Sequence, residues 1–144
     1  MSALVSKRLL QGTVAVLALI PIAVGGVGAL TGPGFLMTGT AWPVDLDSHF
    51  RYLSGVFLAV GLIFYGCIPA IERKTALFRL AALPIVVGGL ARLGSLLAAG
   101  TPTTPHMLGL VLELGVVPAL VVWQTSVAYR TPAFGWRRTT VLGN

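Results

Sequence analysis

Four long apolar runs, separated by short polar or turn-rich stretches, organise this chain from one end to the other. The runs extend over residues 9–30, 49–70, 76–99 and 106–128, each about the length of helix needed to cross a hydrocarbon core, roughly 20 residues. Gly32-Pro33-Gly34 and Trp42-Pro43 break regular structure after the first run. A connection of Ile71-Glu72-Arg73-Lys74-Thr75 is short enough to make the second and third runs antiparallel neighbours, and Gly100 to Pro105 turns the third into the fourth. The pattern predicts an all-α integral membrane protein, a four-transmembrane-helix antiparallel bundle over residues 1–128, followed by a basic tail at 129–144 with Trp136 as an interfacial anchor. Within the runs, Pro84 and Pro118 are expected to bend their helices by removing a backbone donor and crowding the preceding turn. Asp45 or Asp47 is expected to cap the second helix. Gln11, Ala15, Ala18, Ile22, Gly25 and Ala29 recur at steps of four and three, a narrow face of mostly small residues for close helix packing.

Composition sharpens this reading. A hydrophobic fraction of 56% with 10% charged residues departs from the soluble norm of about 45–50% and about 25%. A formal charge of +6 raises the question of nucleic acid, but the basic residues lie mostly between and beyond the apolar runs, where topology accounts for them. Lys7 and Arg8 precede the first run; Arg73, Lys74 and Arg79 surround the middle connection; Arg130, Arg137 and Arg138 lie in the tail. Neither of the other two connections contains Lys or Arg. The positive-inside rule then puts both termini and the middle connection in the cytoplasm, in a multi-pass protein of the inner (plasma) membrane. A cleavable signal peptide is the competing reading of the first run, which is longer than a usual signal core. The lone cysteine, Cys67, excludes an intrachain disulfide and a CxxC pair and reads as a small packing residue.

Arg92 and Glu113 lie inside apolar runs, where an unpaired charge costs about 2.5–3.5 kcal/mol on insertion scales. At 1.5 Å per residue Arg92 is roughly 12 Å below Gly100 and Glu113 roughly 9 Å below Met107, so the two reach similar depth. Pro84, Gly88, Arg92, Ser95 and Ala99 share one helical face; His106, Gly109, Glu113, Val117, Leu120 and Gln124 share another. Arg51 is the expected third member of the cluster, with Asp47 four residues before it at a helical pairing distance. His49 adds an imidazole at the same boundary. The candidate site is therefore Asp47, His49, Arg51, Arg92, His106 and Glu113, under the outer connection.

Three uses of that cluster compete. Arg92 and Glu113 can simply lock two helices, with Arg51 reaching the interface. Arg51 and Arg92 can instead hold the polar head of a lipophilic molecule whose body lies against apolar walls. Proton transfer by Glu113 and His106 is the third, because histidine titrates near neutrality and a buried carboxylate can be raised toward it. Two histidines on separate connections lack a recognisable metal or haem spacing, and no GxSxG-like motif supplies a nucleophile.

Arg51-Tyr52-Leu53-Ser54-Gly55, Gly88-Gly89-Leu90-Ala91-Arg92, Gly100-Thr101-Pro102 and Glu113 with Pro118 together resemble a bacterial four-span membrane family known only as a domain of unknown function. The resemblance covers roughly Leu9 to Ala128. It is distantly similar to the broader DoxX-like four-helix group, some members of which are associated with quinone-linked redox complexes. This chain has no paired redox cysteines, so the likeness transfers no quinone site, and no cofactor is assigned. The sequence leads to a non-catalytic binding or accessory subunit whose outer-side cluster takes a lipophilic ligand or assembles a complex, either with other membrane proteins or with copies of itself. The alternative is a membrane-embedded enzyme or proton-coupled transporter using Glu113 and His106.

Overall fold

The computed structural model describes residues 2–35 and 41–131, and everything in them is helix or short connection. Helix α1 spans Ala3–Thr31, α2 Val44–Cys67 and α3 Thr75–Ala99; the fourth long helix, Thr104–Arg130, consists of α4 (Thr104–Val111), a wider turn at Leu112–Val116 and α5 (Val117–Arg130). All four are long and apolar enough to cross a membrane. Their outward faces carry exposed Leu, Val and Ile side chains along the whole bundle, a surface that hydrocarbon solvates and water does not. Most of the basic tail, including Trp136, lies outside the described residues.

The helix ends differ from the apolar runs for local reasons. Ser2 accepts a hydrogen bond from the Val5 N–H, so α1 begins before the first run and carries Lys7 and Arg8 within it. Helix α2 starts behind Pro43, and Asp45 and Asp47 lie in its first turn, so neither is its cap. Helix α3 runs unbroken through Pro84. At Pro118, by contrast, the fourth helix yields. The proline has no N–H and its ring crowds the carbonyl of Leu114, and the turn before it widens until the Val117 N–H donates to the Leu112 carbonyl five residues back.

Helices α1 and α2 are the tightest pair. The buried stripe of α1 is Ser6, Leu10, Val14, Ala18, Pro21, Gly25 and Gly28. It shares only Ala18 and Gly25 with the small-residue face expected from spacing, because the bulkier Leu10, Val14 and Pro21 turn inward to fill the bundle. The close approach sits at Gly25, where a methyl group would stand 2.5 Å from the Leu58 nitrogen and 2.7 Å from the Ser54 oxygen.

The packed core occupies the end of the bundle that holds the connection between α2 and α3. Leu10, Phe64, Cys67, Ile71, Phe78, Ala81, Leu120 and Val127 are buried there, with the Phe64 and Phe78 rings edge to face at 4.9 Å. Carbonyls released where α2 ends find side-chain donors. Gln11 donates to the Ile68 carbonyl at 2.6 Å, and the fully buried Gln124 donates to the Ile71 carbonyl at 2.7 Å and to Thr75 Oγ1 at 2.9 Å. Trp123 donates to Ser6 Oγ at 3.0 Å, tying the fourth helix to the first.

Lys7 completes this end by meeting Glu72 at 3.0 Å. Burial pushes the Glu72 carboxyl up, but hydrogen bonds from its own backbone and from Lys7, and the charges of Lys7 and Arg73, outweigh it and hold the group below its usual range. A carboxylate depressed in the folded state contributes stability above its unfolded pKa of about 4.3 and loses it as pH falls through the lower folded value. Thermal unfolding in detergent should therefore lose more stability between neutral pH and about pH 3 in the wild type than in Glu72→Gln. Equal slopes would show that the pair adds nothing, since subtracting the variant removes what the other carboxylates contribute.

Candidate functional site

Away from the packed end the helices leave space, and two cavities meet at Glu113. The narrower, of about 100 Å³, runs up the middle of the bundle between Val14, Leu17, Phe57, Ile85, Val116 and Leu120. The wider, of about 350 Å³, lies between α2 and α3 and is lined by Phe50, Ser54, Phe57, Gly88, Arg92 and His106 among others. Glu113, Phe57 and Ile85 belong to both. The widened turn of the fourth helix produces this junction: more residues per turn bring Leu112, Glu113, Val116 and Val117 to the central cavity together.

Arg92 reaches Glu113 from α3 with two parallel hydrogen bonds, Nε to Oε2 at 3.0 Å and Nη2 to Oε1 at 3.1 Å. This fork matches a planar guanidinium to a planar carboxylate and is the strongest geometry such a pair can adopt. The carboxylate is the more enclosed partner, 13% exposed against 35% for the guanidinium. Gly89 lets the two backbones come close enough, since a methyl group there would stand 2.8 Å from the Glu113 Cβ and from a Leu114 methyl. Gly109 lies one turn before Glu113, and a methyl group there would stand 3.7 Å from Glu113 Oε1 and 3.8 Å from Arg92 Cζ. His106 lines the wider cavity with the pair, and its Nδ1 shares a hydrogen bond with Thr103 Oγ1 at 3.0 Å.

The other half of the expected cluster goes elsewhere. Arg51 does not join Arg92 and Glu113: its Nε lies 2.7 Å from Asp47 Oδ2, and its Nη1 donates to the Ala29 and Leu30 carbonyls at 3.1 and 2.6 Å. Helix α1 stops at Gly32, whose φ of 73° is open to glycine, and its last carbonyls need donors. The guanidinium supplies them while Asp47 neutralises it. His49 is exposed on α2 and lines neither cavity. The six candidates thus form two groups, a helix-end clasp of Asp47 and Arg51 and an internal site of Arg92, His106 and Glu113. Among the described residues no three His, Cys, Asp or Glu side chains converge on a point a metal could occupy.

Spacing along the chain concealed several contributors. Ser54, Phe57 and Ile85 carry no distinctive pattern in an apolar run, and only the placement of the helices around them makes them cavity walls. The widened turn was signalled indirectly by Pro118.

Fold and site together define a class: an all-helical bundle of four helices, each able to span a membrane, with a bidentate Arg–Glu pair between two cavities. The chain belongs to the family described as a domain of unknown function, DUF4345, whose match covers residues 9–124. That stretch includes Arg92, His106 and Glu113 and ends at Gln124. No match was found among curated proteins or among solved structures.

Proposed function

We propose that this protein is a non-catalytic, multi-pass subunit of the inner (plasma) membrane that binds a lipophilic molecule, with its polar end at Arg92, His106 and Glu113 and its body along the apolar walls. The observation that carries the reading is the position of Glu113, held by Arg92 where a wide cavity joins a narrow apolar one. A pair whose only task is to lock two helices has no need of space beside it, and packed side chains would lower its energy further. Purification in native lipid followed by mass spectrometry tests this. The wild type should retain a lipophilic species that Arg92→Leu/Glu113→Leu loses while remaining folded. If the double variant keeps every small molecule and every partner protein, the pair is a helix lock and the binding role fails.

His106 and Glu113 on one cavity also support a second reading, proton transfer in a membrane enzyme or proton-coupled transporter. Protein reconstituted in vesicles would then acidify their lumen under an imposed potential, and Glu113→Gln would abolish the signal.

The proposed orientation follows the loop charges, with both termini and the α2–α3 connection cytoplasmic. In a background where the buried Cys67 is replaced, a cysteine introduced at Thr103 should react with an impermeant maleimide in intact cells, and one at Thr75 should not. The opposite pattern would invert the protein and place the internal site in the cytoplasmic half.

A further inference from the structure

We propose that the site takes an uncharged lipophilic molecule whose polar end is a hydrogen-bond acceptor, such as a carbonyl, and that the molecule enters from the bilayer between α2 and α3. This rests on the binding role above and adds the charge class of the ligand and its route.

The charge class follows from how the pair is spent. Arg92 and Glu113 neutralise each other through two hydrogen bonds at 3.0 and 3.1 Å, so their charges sum to zero. An anionic head on the remaining donors of Arg92 would set a second negative charge against the enclosed carboxylate, with one guanidinium to balance both. A cationic head drawn to Glu113 meets the guanidinium already seated there. Either arrangement leaves a net charge in a medium that screens little, and an uncharged acceptor leaves none. A guanidinium has five N–H donors, and Glu113 takes two; among the described residues no further acceptor meets Arg92. The remaining donors belong to the side chain that lines the wider cavity, where a carbonyl can accept from them without disturbing the pair.

The route follows from the walls. Leu53 and Val56 line the wider cavity, yet they are 50% and 42% exposed on the outer surface of α2. The mouth is therefore apolar and faces the side of the bundle, where a membrane-dissolved molecule arrives without crossing water. On the opposite wall, Gly88 leaves the cavity open: a Cβ there would meet nothing within 4 Å. The combined space, about 350 Å³ beside about 100 Å³, falls at the lower end of the roughly 300–1,000 Å³ of small-molecule pockets.

The full chain in nanodiscs of zwitterionic lipid, challenged with four photoreactive probes of one chain length, tests the proposal. The probes end in a methyl ketone, a sulfonate, a trimethylammonium and a plain methyl group. The ketone should label Phe57 or Ile85 saturably, at concentrations about tenfold or more below the other three, and its labelling should vanish in Gly88→Phe, which fills the space while keeping both members of the charged pair. Gly88→Leu replaces it if circular dichroism shows the larger residue unsettling the fold. Equal or better labelling by either charged probe overturns the charge class, and equal labelling by the plain chain overturns the acceptor. Labelling that survives a filled Gly88 in a folded variant overturns the cavity and its route. If no probe labels the wild type saturably, the binding role itself is wrong, and this inference falls with it.

Discussion

Arg92→Leu alone and Glu113→Leu alone are each expected to destabilise the protein by about 3 kcal/mol, because each strands a charge in an interior built for a pair. The double replacement should cost about 1 kcal/mol or less, since two leucines of similar volume need no desolvation to be offset. The cost of the double replacement minus the sum of the two single costs is the coupling energy of the pair. It is read from a double-mutant cycle in mixed micelles, with unfolding followed as detergent composition is changed. The bidentate distances of 3.0 and 3.1 Å and the 13% exposure of the carboxylate make strong coupling the expected result. Simple additivity would mean that the two charges do not stabilise one another, and the functional readings would then need another partner for Glu113. The cycle also separates stability from binding, because the double variant is the folded protein in which loss of a retained molecule has meaning.

Gly25→Ala is expected to cost about 2–3 kcal/mol, an unusually large loss for a single methyl group. The added carbon would stand 2.5 Å from the Leu58 nitrogen and 2.7 Å from the Ser54 oxygen, and these are backbone atoms that move only if α1 and α2 separate. Gly26→Ala, one residue along the same helix, meets nothing within 4 Å and should lose no stability, with helix propensity favouring the Ala by up to about 1 kcal/mol. Parallel unfolding of the two variants compares them directly. Similar losses would show that the contact at Gly25 does not govern this region, since helix propensity favours Ala over Gly at either position. The same separation would move Ser54 and Phe57, two walls of the wider cavity, so Gly25→Ala should also weaken ligand retention without altering any residue that lines the site.

Several features of the molecule are decided locally, and the amino-acid order alone carries them. Each helix contains enough apolar residues to exist as a membrane span on its own, so number, order and approximate bounds of the four follow from hydropathy and length. The pairing of Arg92 with Glu113 is equally legible, because a charge in an apolar run demands a partner and depth along two antiparallel helices can be counted. Asp47 and Arg51 are legible as a pair for the same local reason, four residues apart on one helix.

What stays hidden in the sequence depends on where one helix lies against another. Counting residues puts Arg51 beside Arg92, yet it clasps the end of α1, because only the packed structure shows that the Ala29 and Leu30 carbonyls lie within its reach. The inward stripe of α1 is shifted by about one residue from the small face that spacing suggests, since bulk in the core and close approach at Gly25 have to be satisfied together. The cavities are properties of helix placement rather than of composition: apart from Arg92, His106 and Glu113, most of the residues lining them are ordinary apolar ones such as Phe57, Ile85 and Val116. Hydropathy thus settles that four helices form and that two charges within them need each other. Helix packing settles which surfaces meet, and so gives that pair an empty space to face.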